Sequence, residues 1–416
     1  MDVVAEPSQI KGTVKAPPSK SMTQRAIAAA LLADGQTTIL NPSFCDDSLA
    51  AISIAEGLGA KVIQSGSDLK ITGSRELKET NLNCRESGLA VRMFSPVAAL
   101  YPAEIIMTGA DSLKKRPMTM IEEALNQLGV RCKTEGGFLP LAIQGPIKNG
   151  HCVIDGSVSS QLLTGLLMAL PLAAGDSEIE VLNLKSKPYI DMTIQVLEEF
   201  GIKVINNNYS RFLVPGNQRY HARNFIVEGD WSGGAFLLVA GAINGNIQVN
   251  GLQSGSKQSD VAIIQALRMA GARVTIRDNE IAISIYQLKS FDFDASESPD
   301  LFPPLVALAA YCKGKTKIKG VSRLVYKESN RAIVLKKEFG KMNIDVDISD
   351  DYMTITGGKI KGAIIDPHND HRIAMAAAVA ALGASDKVVI KDSQCVAKSY
   401  PGFFDDLRNL GARVYE

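Results

Sequence analysis

The sequence predicts an α/β (α+β) protein of two lobes, built from six βαβαββ repeats of about 70 residues, three per lobe. A glycine that follows a helical pattern and precedes a strand pattern recurs six times, at spacings of 70, 72, 70, 69 and 71 residues. Each repeat also carries a second, more apolar helical pattern. Hydrophobic residues make up 46% of the chain, which suffices for large cores. The six glycines are Gly59, Gly129, Gly201, Gly271, Gly340 and Gly411.

The repeated glycines occupy the position expected just after the end of a helix, where glycine tolerates left-handed backbone. In the segment MTIQVLEEFGIKV (192–204), Ile194, Val196, Leu197 and Phe200 recur at helical spacing before the glycine. This pattern predicts one amphipathic outer helix in each repeat.

The second helix of each repeat is apolar on all sides, so we expect it to be buried. Six repeats exceed what one core holds, and two lobes of three are the natural division. We expect residues 19–227 to form the first lobe and residues 1–18 with 228–416 to form the second, the first strand crossing to the second lobe. The apolar helical segments span residues 22–35, 88–102, 160–175, 232–245, 299–314 and 370–384.

Composition excludes several classes of protein. The 45 basic and 44 acidic residues leave a net charge of +1, so no overall field attracts nucleic acid or a membrane. The six cysteines form no CxxC pair, which disfavours a zinc site or a disulfide framework and favours a reducing compartment. The most apolar run, residues 162–174, is too short to span a bilayer. With no signal-peptide pattern, we expect a cytoplasmic protein.

Basic residues recur near the predicted helix starts, where the helix dipole disfavours cations by about 0.3–1 kcal/mol each. Free backbone amides and cations that converge on one region form a strong site for phosphates and carboxylates. The repetition therefore predicts a site for anionic ligands. These residues are Lys20, Arg116, Lys187, Lys327, Arg372 and Lys398.

Ten segments in one order carry a resemblance that spans nearly the whole chain. They are PPSKSMTQRA (17–26), SGLAVR (87–92), KKRPM (114–118), DGSVSSQLLTGLLMALPL (155–172), SKPYIDMT (186–193), VEGDWSGGAF (227–236), SPDLFPPLVALAA (298–310), YKESNRA (326–332), NDHRIAMA (369–376) and CVAKSYPGFF (395–404). In these segments the chain resembles the 5-enolpyruvylshikimate-3-phosphate synthase family of enolpyruvyl transferases.

The resemblance implies a two-lobed, inverse α/β barrel-like enolpyruvyl transferase fold with the active site in the cleft between the lobes. It implies transfer of the enolpyruvyl group of phosphoenolpyruvate to the 5-hydroxyl of shikimate 3-phosphate, by addition and elimination, with release of phosphate. It implies no metal or organic cofactor. We expect these two small molecules as partners, no nucleic acid or membrane, and a monomer.

The resemblance also implies the site residues. Asp300 is expected to accept the proton of the 5-hydroxyl, and we interpret Glu328 as the group that transfers a proton at the methylene carbon. Lys20 shares the acid role and Lys398 stabilises the leaving phosphate. Shikimate 3-phosphate is expected to contact Lys20, Ser21, Arg25, Ser159, Ser160, Gln161, Ser186, Tyr189, Asp300, Arg323 and Lys327. Phosphoenolpyruvate is expected to contact Lys20, Gly88, Arg116, Gln161, Glu328, Arg331, His371, Arg372 and Lys398.

The chain departs from the family pattern at a few of these segments. Glu86, Leu89 and Met93 stand where the family commonly has asparagine, threonine and proline, at the border of the phosphoenolpyruvate pocket. Arg323 replaces an asparagine that contacts shikimate 3-phosphate, and Asn330 replaces an aspartate next to the predicted ligand Arg331. Gly88 and Arg92 are retained, so binding of phosphoenolpyruvate is still expected.

Several alternatives remain open at this point. A UDP-N-acetylglucosamine enolpyruvyl transferase shares the fold but carries a reactive cysteine in the loop corresponding to residues 109–118, which has none here. A non-catalytic anion-binding protein would not need Asp300, Glu328 and Lys20. Simple helix capping is the alternative for the Ser159–Gln161 run, and a structural ion pair for Arg92. A metal site is the alternative for Asp366, His368, Asp370 and His371.

Overall fold

The computed structural model describes residues 1–416, and the chain divides into two compact units. We call Pro18–Val227 lobe A, and Met1–Pro17 together with Glu228–Glu416 lobe B. The chain passes from one lobe to the other after Pro17 and again after Val227. Each lobe has its own hydrophobic core of buried side chains.

Each lobe contains three four-stranded sheets with the same strand arrangement: two neighbouring parallel strands, then two strands that continue the sheet in antiparallel fashion. The strands of each sheet are given in spatial order. In lobe A they are Asn224–Ile226, Gln36–Leu40, Asp68–Thr72 and Lys61–Ser65; Asn81–Asn83, Glu104–Thr108, Phe138–Gln144 and Arg131–Glu135; and His151–Asp155, Ser177–Leu182, Arg211–Val214 and Ile205–Asn207.

Lobe B repeats this arrangement of three sheets. Lobe A has in addition a two-stranded parallel pair, Tyr220–His221 with Ala33–Asp34. The sheets of lobe B are Ile10–Lys15, Gly245–Asn250, Glu280–Ser284 and Arg273–Arg277; Asp292–Asp294, Lys315–Lys319, Tyr352–Thr356 and Asp345–Ser349; and Ile364–Ile365, Val388–Ile390, Val3–Ala5 and Val414–Tyr415.

The two ends of the chain complete sheets formed by distant segments. Ile10–Lys15 pairs in parallel with Gly245–Asn250, and Val3–Ala5 lies antiparallel between Val388–Ile390 and Val414–Tyr415. Within lobe A, Asn224–Ile226 supplies the strand that the first repeat lacks. Six βαβαββ units result, as the periodicity predicts.

Twelve α-helices follow the predicted alternation of inner and outer helices, and one short helix, α4, is added. The inner helices are buried because alanine, glycine and branched apolar residues cover all their sides, as in α3 and α12. The helices are α1 (Lys20–Leu32), α2 (Asp46–Gly57), α3 (Gly88–Ala98), α4 (Asp111–Lys114), α5 (Thr119–Gln127), α6 (Gln161–Ala169), α7 (Lys187–Glu199), α8 (Trp231–Asn244), α9 (Ile263–Met269), α10 (Phe302–Ala310), α11 (Arg331–Lys341), α12 (His371–Ala381) and α13 (Phe403–Asn409).

Short 3₁₀ helices complete the secondary structure. Two of them lead directly into an α-helix. No helix is both long enough and apolar enough to cross a membrane. The 3₁₀ segments are Leu170–Leu172, Ser259–Ala262, Pro299–Leu301, Val321–Leu324 and Ser393–Lys398.

The prediction is wrong for one of the six glycines that were expected to follow the end of a helix. Gly340 lies inside α11, and Asn343, with φ of 66°, takes the left-handed position that the other five repeats give to glycine. The linker EFGKMNIDV (338–346) is three residues longer than EFGIKV (199–204), so the helix continues past the glycine. Asparagine tolerates left-handed backbone better than most residues, which permits the exchange.

Candidate active site

The start of α1 carries the first cluster of predicted site residues in lobe A. Ser19 caps the helix by accepting from the amide of Met22 over 3.4 Å. Lys20 Nζ lies 2.7 Å from Oδ2 of Asp47, which opens α2. Both side chains are about one-seventh exposed, so the ammonium is oriented yet reachable. Sequence analysis missed Asp47, whose only signal was its place at the start of the next helix.

Arg25 is predicted to contact shikimate 3-phosphate, and its guanidinium also makes several contacts within lobe A. Its guanidinium is enclosed and donates to Thr193 Oγ1 at 2.9 Å, Thr164 Oγ1 at 3.3 Å, and the carbonyls of Ser21 and Tyr189 at 2.9 and 3.3 Å. Burial lowers the pKa of Arg25 to about 10, with Tyr189 opposing the effect. These bonds use four of the five N–H donors, so Arg25 mainly joins α1, α6 and α7.

A second cluster of predicted site residues in lobe A lies at the start of α3. Arg92 Nη1 donates to Gln161 Oε1 over 3.0 Å, and its Nη2 donates to the carbonyl of Pro117 over 3.4 Å. A Cβ atom at Gly88 would lie 2.7 Å from Arg116 Nη1 and 3.1 Å from Arg92 Nη1. A larger residue there would require at least one of the two guanidinium groups to shift. Two buried arginines therefore face the amino end of one helix.

The Ser159–Gln161 run and the start of α7 complete the predicted residues of lobe A. Ser159 Oγ accepts from the amide of Gln161 over 3.1 Å, which supports the capping alternative for this residue. Ser160, the N-cap of α6, makes no such side-chain bond. Ser186 has left-handed backbone with φ of 57° directly before α7, and the structure places Tyr189 in the first turn of that helix.

In lobe B the structure gathers three of the cations predicted to bind substrate around Asp300. Its Oδ1 accepts from Lys327 Nζ at 3.1 Å and Arg331 Nη1 at 2.9 Å, and its Oδ2 accepts from Arg372 Nη2 at 3.2 Å. Burial lowers the pKa of Lys327, against the opposing effect of Asp300. Three cations thus orient one carboxylate that is 20% exposed.

Arg331 joins the carboxylates of lobe B from within. Its guanidinium is 0% exposed and donates to Asp370 Oδ2 at 2.9 Å, Asp300 Oδ1 at 2.9 Å and Glu328 Oε2 at 2.5 Å. Burial opposes its charge, but Asp370, Glu328 and Asp300 outweigh burial and raise the pKa of Arg331. Arg331 therefore positions both predicted proton-transfer groups, in addition to any contact with phosphoenolpyruvate.

The start of α12 supplies the remaining residues. Asp370 is the N-cap and accepts from the amide of Arg372 over 3.0 Å, and the ring of His371 is buried in the first turn. Lys398 Nζ donates to the carbonyl of Asn369 over 2.7 Å. The segment is thus held by capping and ion pairs, and the structure contains no group of three or more His, Cys, Asp or Glu side chains that could hold a metal ion.

Two further residues lie in the electrostatic surroundings of Asp300. Asp260 is enclosed and accepts from the hydroxyls of Ser232 and, at 3.1 Å, Ser259. Burial, followed by repulsion from Asp300, raises the pKa of Asp260 to about 6. Burial lowers the pKa of Arg323, with Glu297 and Asp300 opposing it. Sequence analysis assigned Asp260 no role in the site.

The predicted cations are less uniform in position than the sequence suggested. Lys20 and Lys187 are the first residues of α1 and α7, and Arg372 is the second residue of α12. Arg116 precedes α5 by three residues, and the two remaining lysines stand outside their helices. Lys327 lies four residues before α11, and Lys398 ends a 3₁₀ helix five residues before α13. Tertiary contacts, rather than helix ends alone, place these cations.

Comparison with known proteins decides the family. A sequence model described as EPSP synthase (3-phosphoshikimate 1-carboxyvinyltransferase) matches residues 4–407. The chain belongs to the EPSP synthase family. It is 39% identical over 416 residues to a protein of Clostridium perfringens named 3-phosphoshikimate 1-carboxyvinyltransferase, covering 98% of each chain. It is 38% identical over 418 residues to the Clostridium kluyveri protein of the same name, covering 100% of this chain and 98% of that one.

Solved structures agree with this assignment. The fold superposes on EPSP synthase from Acinetobacter baumannii with a TM-score of 0.84 at 26% identity, covering all of both chains. The fold class and the family expected from the sequence are confirmed. The UDP-N-acetylglucosamine alternative is not favoured, because these relatives carry the 3-phosphoshikimate name.

Four of the departures from the family pattern make ordinary contacts within their own lobes. Leu89 and Met93 pack in the hydrophobic core through α3. Glu86 Oε2 accepts from the hydroxyl of Ser112 over 2.8 Å. Asn330 caps α11 by accepting from the amide of Ile333 over 3.5 Å.

Proposed function

We propose that this chain transfers the enolpyruvyl group of phosphoenolpyruvate to the 5-hydroxyl of shikimate 3-phosphate and releases phosphate. Family membership supports the reaction, and the cluster of Asp300, Glu328 and their cations supports the chemistry. Residues of both lobes are assigned to this one reaction through the family resemblance.

Binding of shikimate 3-phosphate is assigned chiefly to the helix starts of lobe A. Hydroxyls of Ser159, Ser160 and Ser186 lie beside the amino ends of α6 and α7, where free amides favour a phosphate. Lys20, oriented by Asp47, adds a cation. In lobe B, Arg323 and Lys327 lie near Asp300, which supports their part in binding the acceptor.

Binding of phosphoenolpyruvate is assigned to guanidinium and ammonium groups. Arg92, Arg116 and Gly88 form one anion-binding group at α3, and planar guanidinium forks suit both carboxylate and phosphate. Arg372 and Lys398, together with His371, form the second group at α12.

The chemistry begins with the 5-hydroxyl. Asp300 accepts its proton while the oxygen forms a bond to C2 of phosphoenolpyruvate and Glu328 delivers a proton to the C3 methylene, giving a tetrahedral adduct. In the elimination, Glu328 takes a proton back from C3, the double bond re-forms, the C2–O bond to phosphate breaks, and the proton held by Asp300 passes to the released phosphate. Lys20 and Lys398 stabilise the charge on the departing phosphate. The interacting carboxylates and cations share these protons as a group.

An acceptor comparison tests this function. Phosphoenolpyruvate is mixed with the protein and either shikimate 3-phosphate or UDP-N-acetylglucosamine, and products are identified by mass. We expect an enolpyruvyl product when shikimate 3-phosphate is the acceptor and none when UDP-N-acetylglucosamine is the acceptor. A product from UDP-N-acetylglucosamine would favour the sister transferase. Tight binding of shikimate 3-phosphate without product would favour a non-catalytic anion-binding protein.

A monomeric state and a cytoplasmic location stay predictions. All six cysteines are free and buried, which supports a reducing compartment. Light scattering during size-exclusion chromatography tests the first prediction, since a monomer has a mass of 44.6 kDa.

A further inference from the structure

A buried carboxylate outside the cluster at Asp300 holds the loop before α12. Glu338 lies on α11, two turns after Arg331, and its side chain is only 1% exposed. Its Oε2 accepts from the backbone amide of Asp366 over 3.0 Å and from Lys341 Nζ over 2.5 Å. Sequence analysis assigned it no role.

Side chains of α11 therefore bind both ends of one loop. Residues seven apart lie on the same helix face. Arg331 holds Asp370 through two donors, and Glu338 holds Asp366 through its carboxylate. We call residues 366–370 the α12 loop.

The α12 loop has a conformation that needs such support. His368 and Asn369 are consecutive left-handed residues, with φ of 51° and 58°, and neither is glycine. Histidine and asparagine adopt left-handed backbone more readily than most residues, but two in succession still cost some free energy, which contacts to the loop offset. Asp366 adds one contact from inside the loop, since its Oδ1 accepts from the amide of His368 over 2.8 Å.

The surroundings of the second carboxylate oxygen also tie Glu338 to this loop. Oε1 lies 3.5 Å from His368 Nε2 and 3.8 Å from Lys337 Nζ, and it accepts no hydrogen bond. His368 Nε2 lies 3.3 Å from the same lysine and 3.9 Å from Asp366 Oδ2. One buried carboxylate thus faces the loop's imidazole as well as its backbone.

Stability alone does not account for a carboxylate at this position. Burying a charge is costly, and replacing a buried ion pair by packed apolar groups is often neutral or stabilising. A leucine would fill similar space on α11 without that cost. What only a hydrogen-bonding side chain provides is a fixed position for the amide of Asp366.

The loop in turn places groups assigned to phosphoenolpyruvate. The carbonyl of Asn369 accepts from Lys398 Nζ over 2.7 Å. Asp370 caps α12 and so sets the direction of its first turn, which carries His371 and Arg372. A displacement of the loop would move Lys398 and Arg372 together.

We propose that Glu338 is a positioning residue for the phosphoenolpyruvate side of the reaction, holding the α12 loop so that Lys398 and Arg372 are correctly aimed. The proposal rests on the function proposed above. It requires no contact between Glu338 and either substrate.

Kinetics of Glu338→Leu and Glu338→Gln test the proposal against wild type. A misplacement of about 1 Å can cost about 100-fold, so we expect Glu338→Leu to lower kcat/KM for phosphoenolpyruvate by about 10- to 100-fold. Glu338→Gln keeps an acceptor for the amide of Asp366 and should lose only about 2- to 10-fold. The dissociation constant of shikimate 3-phosphate, by calorimetry, should stay within about twofold. Lys336→Ala, which removes an exposed pair with Asp347 on the same helix, is the matched control and should keep wild-type kinetics.

Hydrogen exchange supplies a readout that does not depend on turnover. In folded Glu338→Leu, the amides of residues 366–370 should exchange faster than in wild type and faster than in Glu338→Gln, with the amides of α10 unchanged. Wild-type kinetics in Glu338→Leu, an equal loss for both substrates, or unchanged exchange in the loop would overturn the proposal. If wild type itself gave no product, the proposed function would fail, while the exchange result would still decide whether Glu338 holds the loop.

Discussion

Arg331 and Asp370 form an enclosed ion pair in which Nε of the arginine lies 2.9 Å from Oδ2 of the aspartate and both side chains are 0% exposed. The other end of the same guanidinium donates to Asp300 and Glu328. One arginine therefore connects the cap of α12 with both carboxylates assigned to proton transfer. Removing one member of such a set leaves buried charges unpaired, at a cost of about 3–5 kcal/mol.

Glu328→Gln tests the assigned proton transfer at the methylene carbon. Glutamine keeps an acceptor for Arg331 but cannot exchange a proton, so kcat should fall by about 10²–10⁴-fold. Incorporation of solvent deuterium at C3 should fall with it, while both substrates still bind. Full turnover in this variant would remove the assignment.

Arg116→Lys tests the guanidinium cluster at α3. Lysine keeps the charge but loses the planar fork, so KM for phosphoenolpyruvate should rise about tenfold or more, and KM for shikimate 3-phosphate should change little. Arg131→Lys, on an exposed strand position, is the control. Equal KM values for phosphoenolpyruvate in wild type and Arg116→Lys would contradict the assignment.

Asp260 predicts a specific pH dependence of stability. Its pKa is raised from 3.8 to about 6 in the folded protein, so the folded state holds this proton more tightly than the unfolded state. Its contribution to the free energy of unfolding therefore falls as pH rises from about 4 to about 6, by about 3 kcal/mol in all.

Asp260→Asn should remove that pH dependence. In urea unfolding between pH 4 and pH 7, the variant should gain stability relative to wild type as pH rises. Ser232→Ala removes a hydrogen bond that lowers the pKa of Asp260, so the pKa should rise further in this variant. The fall in stability with pH should then extend to higher pH than in wild type. A difference between Asp260→Asn and wild type that is constant with pH would contradict the predicted shift.

The cysteines should be unreactive in the folded protein. All six are buried, and burial raises the pKa of Cys132, Cys152, Cys312 and Cys395 to about 12. Thiolates are the reactive form, so the native protein should consume no thiol reagent within minutes, and the unfolded protein should consume six equivalents. Loss of activity after rapid alkylation of one cysteine would instead indicate a reactive thiol in the site.

Much of the fold could be predicted because its signals are local. Helix periodicity, apolar strands and the recurring glycine lie within single repeats, so each unit could be recognised separately. Gly340 shows the limit: the glycine persists, but a longer linker moves the left-handed turn to Asn343.

The partners of the site residues could not be predicted in the same way. Lys20 meets Asp47 across 27 residues, and Arg372 meets Asp300 across 72, so only the folded chain brings them together. Periodicity carries no information on such pairs. The resemblance indicated the site residues, but it did not show that most N–H donors of Arg25 form hydrogen bonds within lobe A.

Phosphate release tests the central claim most directly. Wild type and Asp300→Asn are mixed with shikimate 3-phosphate and phosphoenolpyruvate, with each substrate omitted in turn. We expect release by wild type only when both substrates are present, and release slowed by about 10²–10⁴-fold in Asp300→Asn, with shikimate 3-phosphate still bound. Release from phosphoenolpyruvate alone, no release despite tight binding of shikimate 3-phosphate, or wild-type release by Asp300→Asn would contradict the account.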